Sequence, residues 1–193
     1  MDQIAQDDFK IIDERFPDIR FRRIDGRTCS TRYLIIDEKR AKTMLIDSGD
    51  GKDELEFVPD TVFLTHGHWD HTSGVKPDWP EVWIHPAERK THEHILIPAS
   101  AKPLLGQHFD FGPFHFNVLH TPGHTPGSMC LFEEKSEFLF SGDTLFAGGV
   151  PGRTDVGGND EEMAKSLELL DHVPFTLLCP GHGEMEYTDG ERI

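Results

Sequence analysis

The chain has 193 residues, 36% of them hydrophobic and 28% charged, enough to bury the core of one large domain, which we place over residues 1–193. Its formal net charge of −16 argues against a nucleic-acid partner, because backbone binding needs clustered Lys and Arg, and a small-molecule substrate fits better. No apolar run approaches the roughly 20 residues of a membrane span, so no membrane segment is expected.

Residues 1–8 have neither the basic start nor the apolar centre of a secretory leader, which predicts a cytoplasmic protein. Strands are predicted at 19–24, 32–36 and 43–46, separated by Asp25-Gly26 and by the polar run 37–40, as in an antiparallel meander. Asp47, Ser48 and Gly49 then read as a tight polar loop. A strand at 61–64 runs directly into Thr65-His66-Gly67-His68-Trp69-Asp70-His71, which crowds three imidazoles and a carboxylate into six positions. Another strand is read at 81–85, and Pro86 suits the first turn of a short helix over 86–90. The stretch 91–107, with Pro98 and Pro103 and no sustained period, reads as loop or short helices bordering a site.

The second half repeats the style, with strands at 114–119, 129–132 and 138–140. Asn159 caps a helix whose first turn is acidic, and Met163, Leu167 and Leu170 recur at helical spacing. A last buried strand is read over 175–179, ending in the loop Pro180-Gly181-His182-Gly183. Cys29, Cys130 and Cys179 form no C-x-x-C pair. They predict neither a disulfide framework nor a thiolate zinc site and read as small buried residues in or beside strands.

In an extended chain residues i and i+2 face one way, so His66 and His68 can address one metal while Asp70 and His71, a turn further on, address another. Three other strand ends carry a glycine and a potential ligand: His120-Thr121-Pro122-Gly123-His124, Ser141-Gly142-Asp143 and Pro180-Gly181-His182. A sheet whose strands end on one edge would gather them over one point. His120 and His124 compete for the first of these positions.

The order H-x-H-x-D-H, T-P-G-H-T-P-G, S-G-D-T-L-F and P-G-H-G, spread over residues 65–183, resembles the metallo-β-lactamase-fold hydrolases. Gly142-Asp143-Thr144-Leu145-Phe146 followed by Gly152-Arg153-Thr154-Asp155 is most similar to glyoxalase II-like (hydroxyacylglutathione hydrolase-like) proteins. The resemblance implies an α/β (α+β) fold, a four-layer αββα sandwich with a dinuclear site. It assigns His66, His68 and His124 to the first metal, Asp70, His71 and His182 to the second, and Asp143 to both; it favours His124 over His120, which falls within a strand. The implied cofactors are two divalent ions, zinc first, with iron or manganese as alternatives.

The implied activity is hydrolysis of a small thioester by a hydroxide held between the metals, with Asp70 handling protons and Arg153 meeting a substrate carboxylate. Val150-Pro151 lengthens the loop before Gly152 by one residue relative to that pattern, and the helical domain that supplies much of the glutathione site in full glyoxalase II enzymes is absent from these 193 residues. A persulfide dioxygenase using one iron, a lactonase and a noncatalytic metal- or partner-binding domain are the competing readings.

Overall fold

A computed structural model describes residues 13–53 and 55–188. The reading of residues 1–8 lies outside them. The first sheet joins β1 (Ile19–Asp25), β2 (Thr31–Asp37), β3 (Lys42–Ile46), β4 (Thr61–Leu64), β5 (Val82–Ile84) and β6 (Lys102–Pro103), in that order. β1 to β3 form the predicted antiparallel meander, while β3 to β6 pair in parallel. A short helix, α1 (Trp69–Thr72), follows β4.

The second sheet is built from β7 (His108–Phe111), β8 (Phe114–His120), β9 (Met129–Glu133), β10 (Phe138–Gly142), β13 (Leu177–Pro180) and β14 (Glu186–Tyr187), in the order β14-β13-β10-β9-β8-β7. β11 (Leu145–Phe146) and β12 (Val150–Pro151) make a separate ribbon, and α2 spans Asp160–Leu170.

Alternation along the strands explains why two sheets stack. Tyr33, Met44, Ile46 and Phe63 of the first sheet meet Phe116, Met129, Leu131, Phe140 and Cys179 of the second in one buried cluster. Their sequence neighbours Leu34, Leu45, Val62 and Leu64 point the other way and pack with Trp79 and Ile84. Cys130, Leu139 and Leu178 likewise face outward from the second sheet, onto Leu170 of α2 and Phe175. The result is the expected α/β sandwich with thin outer layers, because loop residues such as Leu55, Phe57 and Val75 cover much of the first sheet's outer face.

Asn159 caps α2 by accepting from the Glu162 N–H, as its sequence predicts. Three expectations need correction. Residues 86–90 form no helix: Pro86 and Ala87 lie in a turn, and Glu88 is drawn inward by donors from two other loops. Cys29 is exposed, on a left-handed backbone (φ 65°) in the β1–β2 turn, although Cys130 and Cys179 are buried. The strand read over 175–179 begins only at Leu177, as β13, since Phe175 packs on the α2 side instead of pairing.

Candidate metal centre

β8 and β10 are each antiparallel to β9, and β13 is parallel to β10, so the three run in one direction and end on one edge. β3 and β4 also run together. The loops leaving these C-terminal ends carry Asp47, His66 to His71, His124, Asp143 and His182. Backbone bonds draw the two edges together, from Met129 N–H to Thr65 O at 2.9 Å and from Thr31 N–H to Gly181 O at 2.7 Å.

Three donor groups result: His66, His68 and His124; His66, His71 and Asp143; and Asp70, His71 and His182, with the ligand atoms of each group within 4.8 Å of one another. All seven residues assigned by resemblance thus converge. Asp143 reaches both sides, its Oδ2 lying 3.4 Å from His124 Nε2 and 3.4 Å from His182 Nε2, and its Oδ1 3.4 Å from His71 Nε2. Close approach depends on Gly181, where a Cβ would fall 2.3 Å from Asp143 Oδ1. Gly123 (φ 145°) similarly lets the His124 loop lie against the first turn of α2, where a Cβ would come 2.4 Å from Met163 Cα.

The outer nitrogen of every imidazole in the cluster faces an oxygen. His68 Nε2–H donates to Val156 O (2.9 Å), His124 Nδ1–H to Arg153 O (2.6 Å), His71 Nδ1–H to Asp47 Oδ2 (2.8 Å) and His182 Nδ1–H to Cys29 O (3.0 Å). Thr65 gives its hydroxyl hydrogen to Asp47 and accepts from His66 Nδ1–H (3.1 Å). With each outer nitrogen carrying the ring hydrogen, the inner nitrogens of the neutral rings are bare lone pairs. In the pair His68 and His124 these lone pairs nevertheless face each other, Nδ1 to Nε2, at 2.7 Å, while His71 Nε2 and His182 Nε2 lie 3.2 Å apart among carboxylates. His66 Nε2 and Asp143 Oδ1 are buried without a hydrogen-bond partner. Lone pairs aimed at lone pairs, beside an orphaned carboxylate oxygen, fit cations held between these atoms.

Charge divides the cluster. Burial pushes the His66 and His124 imidazoles below their ordinary pKa, and burial together with His124 takes His68 down to about 4, so the first triad is neutral. Burial works against charge on His182 and His71 too. There the carboxylates win: hydrogen bonds to Asp143 and Asp70 raise His182 to about 11, and Asp143 and Asp47 raise His71 to about 9. A cation bound there would displace these protons and leave the Nε2 lone pairs of His71 and His182 free to ligate it.

Two participants escape sequence reasoning. Asp47 holds both ligand sets, accepting from Thr65 N–H, the Thr65 hydroxyl and His71; its signal was a lone acid closing a buried strand. Glu88, hidden in the stretch read as helix, accepts from Gly67 N–H and Thr125. His120 is exposed, contacts Pro126 O at 2.9 Å and stacks on His85. Among the described residues His85, His92, His94, His108, His115 and His172 join no such group. Arg153 supplies its carbonyl to His124, while its exposed guanidinium is held by both oxygens of Asp155 at 2.7 Å.

The model of the metallo-β-lactamase superfamily matches residues 27–182. A probable metallo-hydrolase, YqgX, from Bacillus subtilis is 35% identical over 151 residues, covering 67% of this chain and 71% of the relative. A hydroxyacylglutathione hydrolase from Photorhabdus laumondii is 34% identical over 167 residues, covering 81% of this chain; the match spans only 62% of that enzyme. Among solved structures, TTHA1623 in a di-iron-bound form superposes with a TM-score of 0.67 at 30% identity, over 84% of this chain and 91% of that one. Motif order, sandwich and converging ligand loops therefore share one explanation: the chain belongs to the metallo-β-lactamase superfamily.

Proposed function

We propose that the domain of residues 1–193 is a dinuclear metal-dependent hydrolase of a small thioester of the hydroxyacylglutathione type. The observation that carries this reading is Asp143, whose two oxygens face histidines of both donor groups. In it, His66, His68 and His124 hold one cation, Asp70, His71 and His182 the other, and Asp143 both. The chemistry that two divalent cations, most simply zinc, would supply there is a hydroxide nucleophile at neutral pH and polarisation of the scissile carbonyl.

The protein's own groups do the rest. Asp70 is partly exposed, accepts from His182, and is held ionised below the usual carboxylate range although burial opposes it; it is more exposed than Asp143 or Asp47, the other carboxylates of the cluster. A thiolate leaving group, whose conjugate acid has a pKa near about 8.5, departs without a strong protein acid. Arg153 meets a substrate carboxylate by exchanging Asp155 for it, an exchange between exposed groups that costs little. The exposed apolar side chains of Trp69, Leu96 and Ile97 lie on segments paired backbone to backbone beside the cluster and suit an acyl or thiol chain. Three free cysteines accord with a reducing, cytoplasmic setting.

The test is a panel of thioesters, lactones and persulfides on metal-quantified protein. Two zinc per chain with thioester turnover is the expected result. One iron with oxygen uptake on persulfide points to the dioxygenase reading, and no turnover of any thioester or lactone with both metals loaded removes the hydrolase.

Asp47→Ala provides a second check, because it leaves Thr65 N–H and His71 Nδ1–H buried without an acceptor. Thermal unfolding should reveal a loss of about 1–3 kcal/mol for each orphaned group, and zinc affinity should fall about 10–100-fold. Unchanged affinity would show that the ligands need no outer support.

A further inference from the structure

Glu88 stands outside every motif that marks the site, yet its side chain is inserted between the two loops that carry the first histidine triad. Its Oε2 accepts the Gly67 N–H at 2.8 Å and the Thr125 hydroxyl at 2.6 Å, its Oε1 takes the adjacent Arg89 N–H at 3.1 Å, and the Gly127 N–H also bonds the carboxylate. Gly67 separates His66 from His68; Thr125 follows His124. The fit on both flanks is tight. A Cβ on Gly67 would lie 3.0 Å from Glu88 Cδ, and one on Gly127 would lie 2.4 Å from Glu88 Cβ, so both loops are glycine where they meet this residue.

Thr125 is itself fixed, its N–H bonding Ser128 Oγ at 3.0 Å and its hydroxyl lying 3.0 Å from the same atom. A lone buried carboxylate is costly unless several donors converge on it. Here the donors come from the two loops whose histidines face each other at 2.7 Å. Among the described residues no hydrogen bond of Glu88 reaches Asp70, His71 or His182, and its tie to the first of these loops is at Gly67, between His66 and His68.

We propose that Glu88 is a positioning residue for the His66, His68 and His124 triad, clamping the two ligand loops at the spacing that makes one cation site of them. This rests on the reading of the triad as metal ligands given above. An amide in its place keeps the bulk and one good acceptor but turns an N–H toward the Arg89 N–H, so Glu88→Gln should be an intermediate case and Glu88→Ala the full loss.

The test uses cobalt(II) as the probe, with affinity measured by chelator competition and the visible absorption recorded. A His182→Ala background isolates the three-histidine group, and a His124→Ala background isolates the other. Glu88→Ala should weaken cobalt binding about 10–100-fold in the first background, Glu88→Gln by less, and both by under about threefold in the second. Equal losses in both backgrounds, or none in either, would overturn the proposal. Amide exchange at Gly67 in metal-free Glu88→Gln guards against a failed premise. If the parent binds no cobalt at the triad, the metal reading falls; faster Gly67 exchange then still supports the clamp, and unchanged exchange sinks it. Thr125→Val, which removes a single donor, repeats the experiment in a fold less perturbed than Glu88→Ala.

Discussion

His124→Ala is expected to lower kcat/KM for a thioester by about a thousandfold or more, the several kcal/mol attributable to a positioned metal, while His120→Ala stays within about threefold. The two residues are four positions apart and both flank Pro122-Gly123, so the contrast isolates geometry from composition. His124 is buried, points Nε2 at His68 and is fixed by Arg153 O. His120 ends β8 on the exposed side, where its ring contacts Pro126 O and stacks on His85. Steady-state kinetics on metal-saturated protein separates them. Equal losses would mean that the ligand had been chosen wrongly.

Asp143→Asn should be the most damaging conservative change, because it keeps the shape of a side chain whose charge both halves of the cluster use. Burial disfavours the carboxylate's charge, yet the His71 and His182 imidazoles hold it ionised well below its ordinary range. Bound metal should fall from two equivalents per chain to one at most, with hydrolysis lost to the same extent as in His124→Ala. Thermal unfolding gives an independent reading. At a thousandfold excess over Kd a ligand adds about 4 kcal/mol, near 10 °C for a chain of this size. Chelation should thus lower the parent's Tm markedly and the variant's far less. A variant that keeps both metals would exclude Asp143 as the shared ligand.

Much of this site is legible in the sequence, because its ligands fall at strand ends marked by glycine and the strands themselves are short apolar runs. The resemblance carried by the motif order, H-x-H-x-D-H to P-G-H-G, names seven residues that the fold brings together and decides between His120 and His124, which the residues alone leave open. What stayed hidden were acceptors and supports. Asp47 looked like a turn residue, since nothing local distinguishes an acid that caps a strand from one that binds Thr65 and His71 across 18 and 24 positions. Glu88 was lost to a helix signal that donors on Gly67 and Thr125 override. The carbonyls of Val156, Arg153 and Cys29 have no sequence signature at all. β7 was missed because it is only four residues long, with Phe109 and Phe111 alternating with the exposed His108 and Asp110, and it forms by pairing with β8.

The two halves of the cluster also differ in when the chain can complete them. His66, His68 and His124 lie within 59 residues of one another. The other half needs His182, which bridges to Ser30 and bonds Cys29 O, while Tyr33 donates its hydroxyl to Pro180 O across 147 positions. Contacts of that span close late, since most of the chain's loop entropy must be spent before they form. Loss of the β13 end alone would therefore remove His182 and its ties to the first hairpin while the carbonyls that hold His68 and His124 stay in place.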